Sequence, residues 1–136
     1  MMGRRFRSVC LITQNVRKLR DFYQDVFQIQ AEESDTFVAF EPVGVPLTLF
    51  HTEGMEQMAP GSMQGAGIGG AVLEFEVEDV DQEYTRLLEM HVPIVKPPTT
   101  QPWGLRSVWF RDPDGNIVNF FAVVKVSTDS TDGTDF

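Results

Sequence analysis

Ala71-Val72-Leu73-Glu74-Phe75-Glu76-Val77-Glu78-Asp79-Val80 reads as a strand running into a helix. Leu73, Phe75 and Val77 alternate with Val72, Glu74 and Glu76, the period of a strand with two unlike faces. Asp79, with Gln82 three residues on, forms a capping box. A helix is predicted from about Val80 to Met90. The same junction occurs 64 positions earlier, at Asn15-Val16. Residues 8–13 there read as a buried strand, Asn15 as an N-cap, and Val16, Leu19, Tyr23, Val26 and Phe27 recur at helical spacing. A repeat of this size points to two duplicated units.

Working outward, Phe37–Phe40 and Val45–His51 read as strands after the first helix, with Glu41-Pro42-Val43-Gly44 as the turn between them. After the second helix come Val92–Lys96, Leu105–Phe110 and Ile117–Val124. Asp112-Pro113-Asp114-Gly115 closes the last hairpin, proline pre-setting φ and glycine supplying a positive φ. The predicted fold is α+β: two βαβββ repeats forming curved mixed sheets around a cleft, with the helices outside. The expected domain spans 1–126, with units at about 6–52 and 70–124 and a Gly/Met-rich loop, 53–69, linking them. The Ser/Thr/Asp/Gly-rich tail, 127–136, is expected to be disordered. Gly65-Ala66-Gly67-Ile68-Gly69-Gly70 matches the phosphate-binding glycine pattern in letters only, because a strand follows it where that pattern needs a helix.

The chain has 136 residues and is 42% hydrophobic and 23% charged, the size and balance of one folded domain. Its net charge is −9. Residues 1–55 hold six Lys/Arg against seven Asp/Glu, and residues 56–136 hold five against thirteen. That field opposes nucleic acid as a partner. No apolar run reaches the roughly 20 residues of a membrane span, so no membrane partner is expected. Met1-Met2-Gly3-Arg4-Arg5 is basic but precedes no apolar stretch, so no signal peptide is expected. The single Cys10 permits no internal disulfide, and a reducing cytoplasm is the expected location.

Three stretches carry a resemblance. Asn15-Val16 through Phe22-Tyr23, Leu73 through Val80, and Phe110-Arg111-Asp112-Pro113-Asp114-Gly115-Asn116 together resemble the vicinal oxygen chelate superfamily. That group includes glyoxalase I, extradiol dioxygenases, fosfomycin-resistance enzymes and bleomycin-resistance proteins. The likeness covers roughly residues 6–124. One departure is Phe27-Gln28, where the family usually has Leu-Gly. Metal-dependent members gather His and Glu ligands from four strands. By register, the resemblance places those positions at Ser8, Thr48, Val72 and Asn119. Val72 has no donor atom, and the other three offer only neutral oxygens, which offset the desolvation of a dication poorly. Neighbouring positions hold no ligand either. Of the two histidines, His51 lies on the strand face opposite Thr48, and His91 closes the second helix. No metal and no other cofactor is expected.

Strand parity then nominates the cleft wall. Ser8 brings Cys10 and Ile12 with it, Thr48 brings Phe50, Val72 brings Glu74 and Glu76, and Asn119 brings Phe121. The ligand-binding candidates are Ser8, Thr48, Phe50, Val72, Glu74, Trp103, Arg106, Trp109, Asn119 and Phe121. Each has a plainer reading. Glu74 is then a rim carboxylate, Thr48 and Asn119 bond across the sheet, and the phenylalanines simply pack. Trp103, in a Pro-Trp-Gly loop like that of several bleomycin-resistance-like members, faces a ligand, a dimer mate or the core. Arg106 pairs with Glu74, with an anionic ligand or with water. Cys10 is expected to be a buried, inert thiol. The expected function is a metal-free, homodimeric binding protein for a small molecule, a drug or a metabolite, and not an enzyme. The alternatives are a glyoxalase-like lyase or dioxygenase-like enzyme with a non-standard site, and a non-catalytic regulatory subunit.

Overall fold

The computed structural model describes residues 3–4, 6–41, 43–67 and 71–124. The chain divides between Gly67 and Ile68 into two compact units. The expected disordered tail, 127–136, and residues 68–70 of the glycine-rich stretch lie outside the described residues.

The first unit runs β1 (Val9–Thr13), α1 (Val16–Phe27), β2 (Phe37–Phe40), β3 (Leu47–His51) and α2 (Thr52–Met58). Its sheet has the order β1-β3-β2, with β1 parallel and β2 antiparallel to β3. Asn15 caps α1: its Oδ1 accepts the Lys18 N–H at 3.0 Å. Val16, Leu19, Tyr23 and Val26 form the buried stripe of that helix. The stripe seats on Val38, Phe40, Leu47 and Leu49, all buried, and Tyr23, Phe27 and Phe40 make a ring cluster with centroids 5.3–6.5 Å apart. Three strands are present here among the described residues, and α2 occupies the start of what reads in sequence as a loop. Gly54 explains why: a Cβ there would fall 2.7 Å from the Phe50 ring, so glycine lets the helix lie on that ring.

The second unit is βαβββ in full: β4 (Val72–Glu76), α3 (Val80–Glu89), β5 (Ile94–Thr100), β6 (Leu105–Arg111) and β7 (Ile117–Val123). The sheet order is β4-β7-β6-β5, with β4 parallel to β7 and the other pairs antiparallel. Asp79 caps α3 through the Gln82 N–H at 3.1 Å. Helix α3 lies against β5, β6 and β7. The sheet core beneath it is Val108, Phe110, Val118 and Phe120, joined by Phe75 through edge-to-face rings. Strand β5 runs further than Val92–Lys96 alone indicates, continuing through Pro97-Pro98 to Thr100 with two register shifts against β6. It is an edge strand, where proline's missing N–H costs no ladder bond.

The β6–β7 turn is held by a buried carboxylate. Asp112 Oδ1 accepts the N–H groups of Asp114 and Asn116, and its Oδ2 accepts Asn116 Nδ2, each at 2.9 Å. Gly115 closes the turn at φ +90°, donating to the Asp112 carbonyl. Asp112→Ala removes the acceptor for three donors and is expected to cost about 2–4 kcal/mol in urea unfolding.

The Phe27-Gln28 departure also has a structural meaning. Gln28 ends α1 in the left-handed region at φ 57°, the conformation that glycine takes without a Cβ clash. Gln28→Gly is therefore expected to stabilise the protein by about 0.5–1 kcal/mol, read as a rise in thermal midpoint of roughly 2–5 °C.

Candidate functional site

In each sheet one face is taken by a helix, and parity sends the alternate residues to the other face. In the second unit this face carries the pairs Glu74↔Asn119, Trp109↔Asn119 and Lys96↔Trp109. A single row therefore crosses all four strands: carboxylate, amide, indole, ammonium. The next row is Glu76, Phe121, Ser107 and Thr99, and Val72 lies opposite Ile117 at the far end. Strands about 4.8 Å apart bring neighbours in a row into side-chain contact range.

Asn119 is the centre of the row. Only 4% of it is exposed, although it lies on the face away from α3. Its Nδ2 donates to Glu74 Oε2 at 3.3 Å, while its Oδ1 is enclosed and has no hydrogen-bond partner among the described residues. The carboxylate fixes the amide's orientation, because turning it over would set two acceptor oxygens against each other. Glu74 is exposed and forms no ion pair among the described residues. Trp109 and Phe121 are half-buried beside it.

The sequence candidates thus divide. Val72, Glu74, Trp109, Asn119 and Phe121 share this face. Arg106 does not. It has the parity of Val108 and Phe110, and its Nη2 and Nε donate to both oxygens of Asp81 on α3 at 2.8 and 2.9 Å, with Nη1 donating to Thr100 Oγ1. It is thus committed to the helix side, and Glu74 is not its partner. Trp103 sits at the tip of the β5–β6 hairpin, 52% exposed, where Gly104 turns at φ +95°. In the first unit, Thr48 pairs with Cys10 and Ala39, and Phe50 pairs with Ile12 and Phe37, on the face away from α1. Thr48 Oγ1 donates across the strands to the Val9 carbonyl at 3.5 Å. Phe50 stacks edge-to-face on Phe37 and lies under α2. Ser8 is exposed just before β1. Cys10 corrects an expectation: its thiol is exposed on the face of β1 away from α1.

Lys96, Ser107 and Thr99 belong to the second unit's open face and were not among the candidates. Ser107 is legible from parity with Trp109. Lys96 and Thr99 are not, because the register shifts in β5 break the simple alternation.

Residues 5–120 match the family described as the Glyoxalase/Bleomycin resistance protein/Dioxygenase superfamily. The chain belongs to this superfamily. It is 27% identical over 124 residues to the uncharacterized protein YraH of Bacillus subtilis (strain 168), spanning 86% of this chain and 97% of that one. Among solved structures, it superposes at a TM-score of 0.76 on a glyoxalase/bleomycin resistance protein/dioxygenase family enzyme from Burkholderia phytofirmans PsJN. Identity there is 20%, over 86% of this chain and 97% of that one. A lactoylglutathione lyase from Agrobacterium tumefaciens gives 0.69 at 24% identity, over 85% and 91%. At those identities the likeness carries the fold alone.

The metal site of the superfamily's metal-dependent members does not fit these residues. Val72 brings no donor, and Asn119 has its amide turned toward Glu74. Thr48 Oγ1 is directed at a backbone carbonyl. Among the described residues, no group of three or more His, Cys, Asp and Glu is placed to hold a metal ion. A dication needs charged or imidazole donors at such a position.

The pair on the helix side has a pH signature. Hydrogen bonds from Arg106 hold the Asp81 carboxyl below its ordinary value, partly opposed by desolvation. Its contribution to stability is present above the unfolded value of about 3.9 and is lost as pH falls through the lowered folded value. Arg106→Gln is expected to unfold more easily than the parent protein at neutral pH, by no more than about 1 kcal/mol after solvent screening. The two urea curves are expected to converge as the carboxyl protonates at low pH.

Proposed function

We propose that this protein binds a small planar molecule, a drug or a metabolite, without a metal ion. The observation that carries this reading is the second unit's open face. Aromatic Trp109 and Phe121 stand beside the Glu74 carboxylate, which has no ion pair among the described residues, and a buried amide, Asn119, where metal-dependent relatives would need charged ligands. Such a surface offers stacking area and hydrogen-bond acceptors. It offers no activated nucleophile and no group of charged ligands for Lewis-acid chemistry. The alternative is a lyase or dioxygenase-like enzyme. It is supported by the activity named for the Agrobacterium tumefaciens structure, and it requires a site built differently from the four-ligand arrangement.

The protein acts as a homodimer in the cytoplasm on this reading. The edge strands β4 and β5 expose Val72 and Val95, which a second copy would cover, and the lone thiol suits a reducing compartment. Light scattering giving the single-chain mass of 15.4 kDa at micromolar concentration would refute the dimer.

Two measurements test the binding reading. Protein purified without chelator is expected to carry no stoichiometric zinc, nickel, manganese or iron by elemental analysis. One equivalent of metal that is lost on mutating Glu74 or Asn119 would overturn it. A planar ligand that quenches tryptophan fluorescence is expected to bind Trp109→Ala roughly two- to thirtyfold more weakly, with the fold retained. Unfolding of that variant would make the indole structural instead.

A further inference from the structure

The row Glu74–Asn119–Trp109 makes a more specific demand than planarity. A buried amide oxygen with no partner is uncommon in a folded protein, and each instance calls for a reason. Here the reason is not backbone geometry, because β7 is regular and fully paired on both sides at this position. Nor is it a misoriented amide, since the neighbouring carboxylate holds Nδ2 and turns Oδ1 away. The protein keeps an acceptor that water does not reach. Replacing it by an apolar side chain of similar size would remove that penalty.

We infer that Asn119 Oδ1 and the Glu74 carboxylate together recognise a forked N–H donor, an amidinium or guanidinium carried on a planar group. This deepens the binding reading above and rests on it. One N–H of the fork reaches Asn119 Oδ1 and a second reaches the carboxylate, and both acceptors are matched only by a ligand that brings donors and no acceptor there. Positive charge on the ligand answers Glu74, whose nearest sequence candidate for an ion pair, Arg106, is held on the other face by Asp81. The flat face of the ligand lies on Trp109, the register neighbour of Asn119, where a cation over an indole gains further. Because Oδ1 is closed off in the free protein, a half-buried neighbour, Trp109 or Phe121, rotates to admit the donor. Such rotamer changes are common when ligands bind. Lys96 stands at the far end of the same row and sets the polarity of the bound molecule, cation toward β4.

Benzamidine is the probe, with benzamide as its neutral isostere and benzoate as its anionic one. Titration calorimetry on the full chain is expected to show benzamidine binding, benzamide binding more weakly and benzoate not binding. Asn119→Leu and, separately, Glu74→Gln are each expected to weaken benzamidine roughly ten- to hundredfold. Glu74 is exposed, so the second variant reports even if the first folds poorly. A structural role for Asn119 predicts a lower thermal midpoint for Asn119→Leu. A ligand role predicts an unchanged or raised one in the free protein. Benzamidine binding that both variants leave intact, or a large loss of stability in Asn119→Leu with binding unchanged in Glu74→Gln, would overturn the inference. Loss of the amidinium preference while neutral aromatics such as quinoline still quench Trp109 would overturn it and leave the broader binding reading standing. Absence of binding by any of these compounds would overturn both.

Discussion

The register of β6 against β7 is the constraint on which the second unit's chemistry depends. Side chains alternate with a period of two, so a slip of β6 by one residue against β7 would send Trp109 under α3 and bring Val108 out. The Asp112 carboxylate opposes that slip by collecting three donors within the five residues Asp112–Asn116. The turn sets where the hairpin closes, and the closing point sets that Trp109 stands opposite Asn119. Parallel pairing of β4 with β7 then brings Glu74 to the same row from a distant part of the chain. A carboxylate, an amide and an indole from three strands meet because one turn fixes the count.

Packing makes the two faces unlike. Helix α3 covers Val108, Phe110, Val118 and Phe120, and burial of those side chains supplies the driving force for the unit. The polar residues are what remains on the reverse side, and they are free to serve recognition. The same logic holds in the first unit, where α1 covers Leu47, Leu49, Val38 and Phe40. There the reverse side is different in kind: α2 comes down on Phe50 through Gly54, and no carboxylate lies in the rows of Thr48 and Phe50. The two units therefore differ on the faces away from α1 and α3, while each keeps a helix-covered core.

Arg106 shows how strongly the face assignment governs function. As a lone arginine near Glu74 in register, it reads as an ion-pair partner or an anion receptor. One residue of parity instead places it against Asp81, which satisfies it with two bonds. Glu74 and Glu76 on β4 stand at one edge of the open face, while its cations, Lys96 on β5 and, by parity with Trp109, Arg111 on β6, lie toward the other. The electrostatic preference of the surface follows from that separation of charges by the sheet itself.

The strand–helix junctions at Asn15-Val16 and Asp79-Val80, the Asp-Pro-Asp-Gly-Asn turn and the α+β class were readable from the chain. Caps, turns and alternation are local, set by side chains reaching backbone groups a few residues away. The row of candidates from Val72 to Phe121 was readable for the same reason, since parity along one strand needs no knowledge of the next. Three things were not readable. Helix α2 depends on Gly54 fitting against Phe50, a contact of shape rather than of pattern. Lys96 and Thr99 join the open face only through irregular pairing of β5, which no period reveals. The unsatisfied oxygen of Asn119 exists only because Glu74, 45 residues earlier, holds the other end of its amide. Which residues alternate is a property of the chain. Which of them meet, and which polar atom is left without a partner, follows from strand pairing between distant segments and was decided by the tertiary structure.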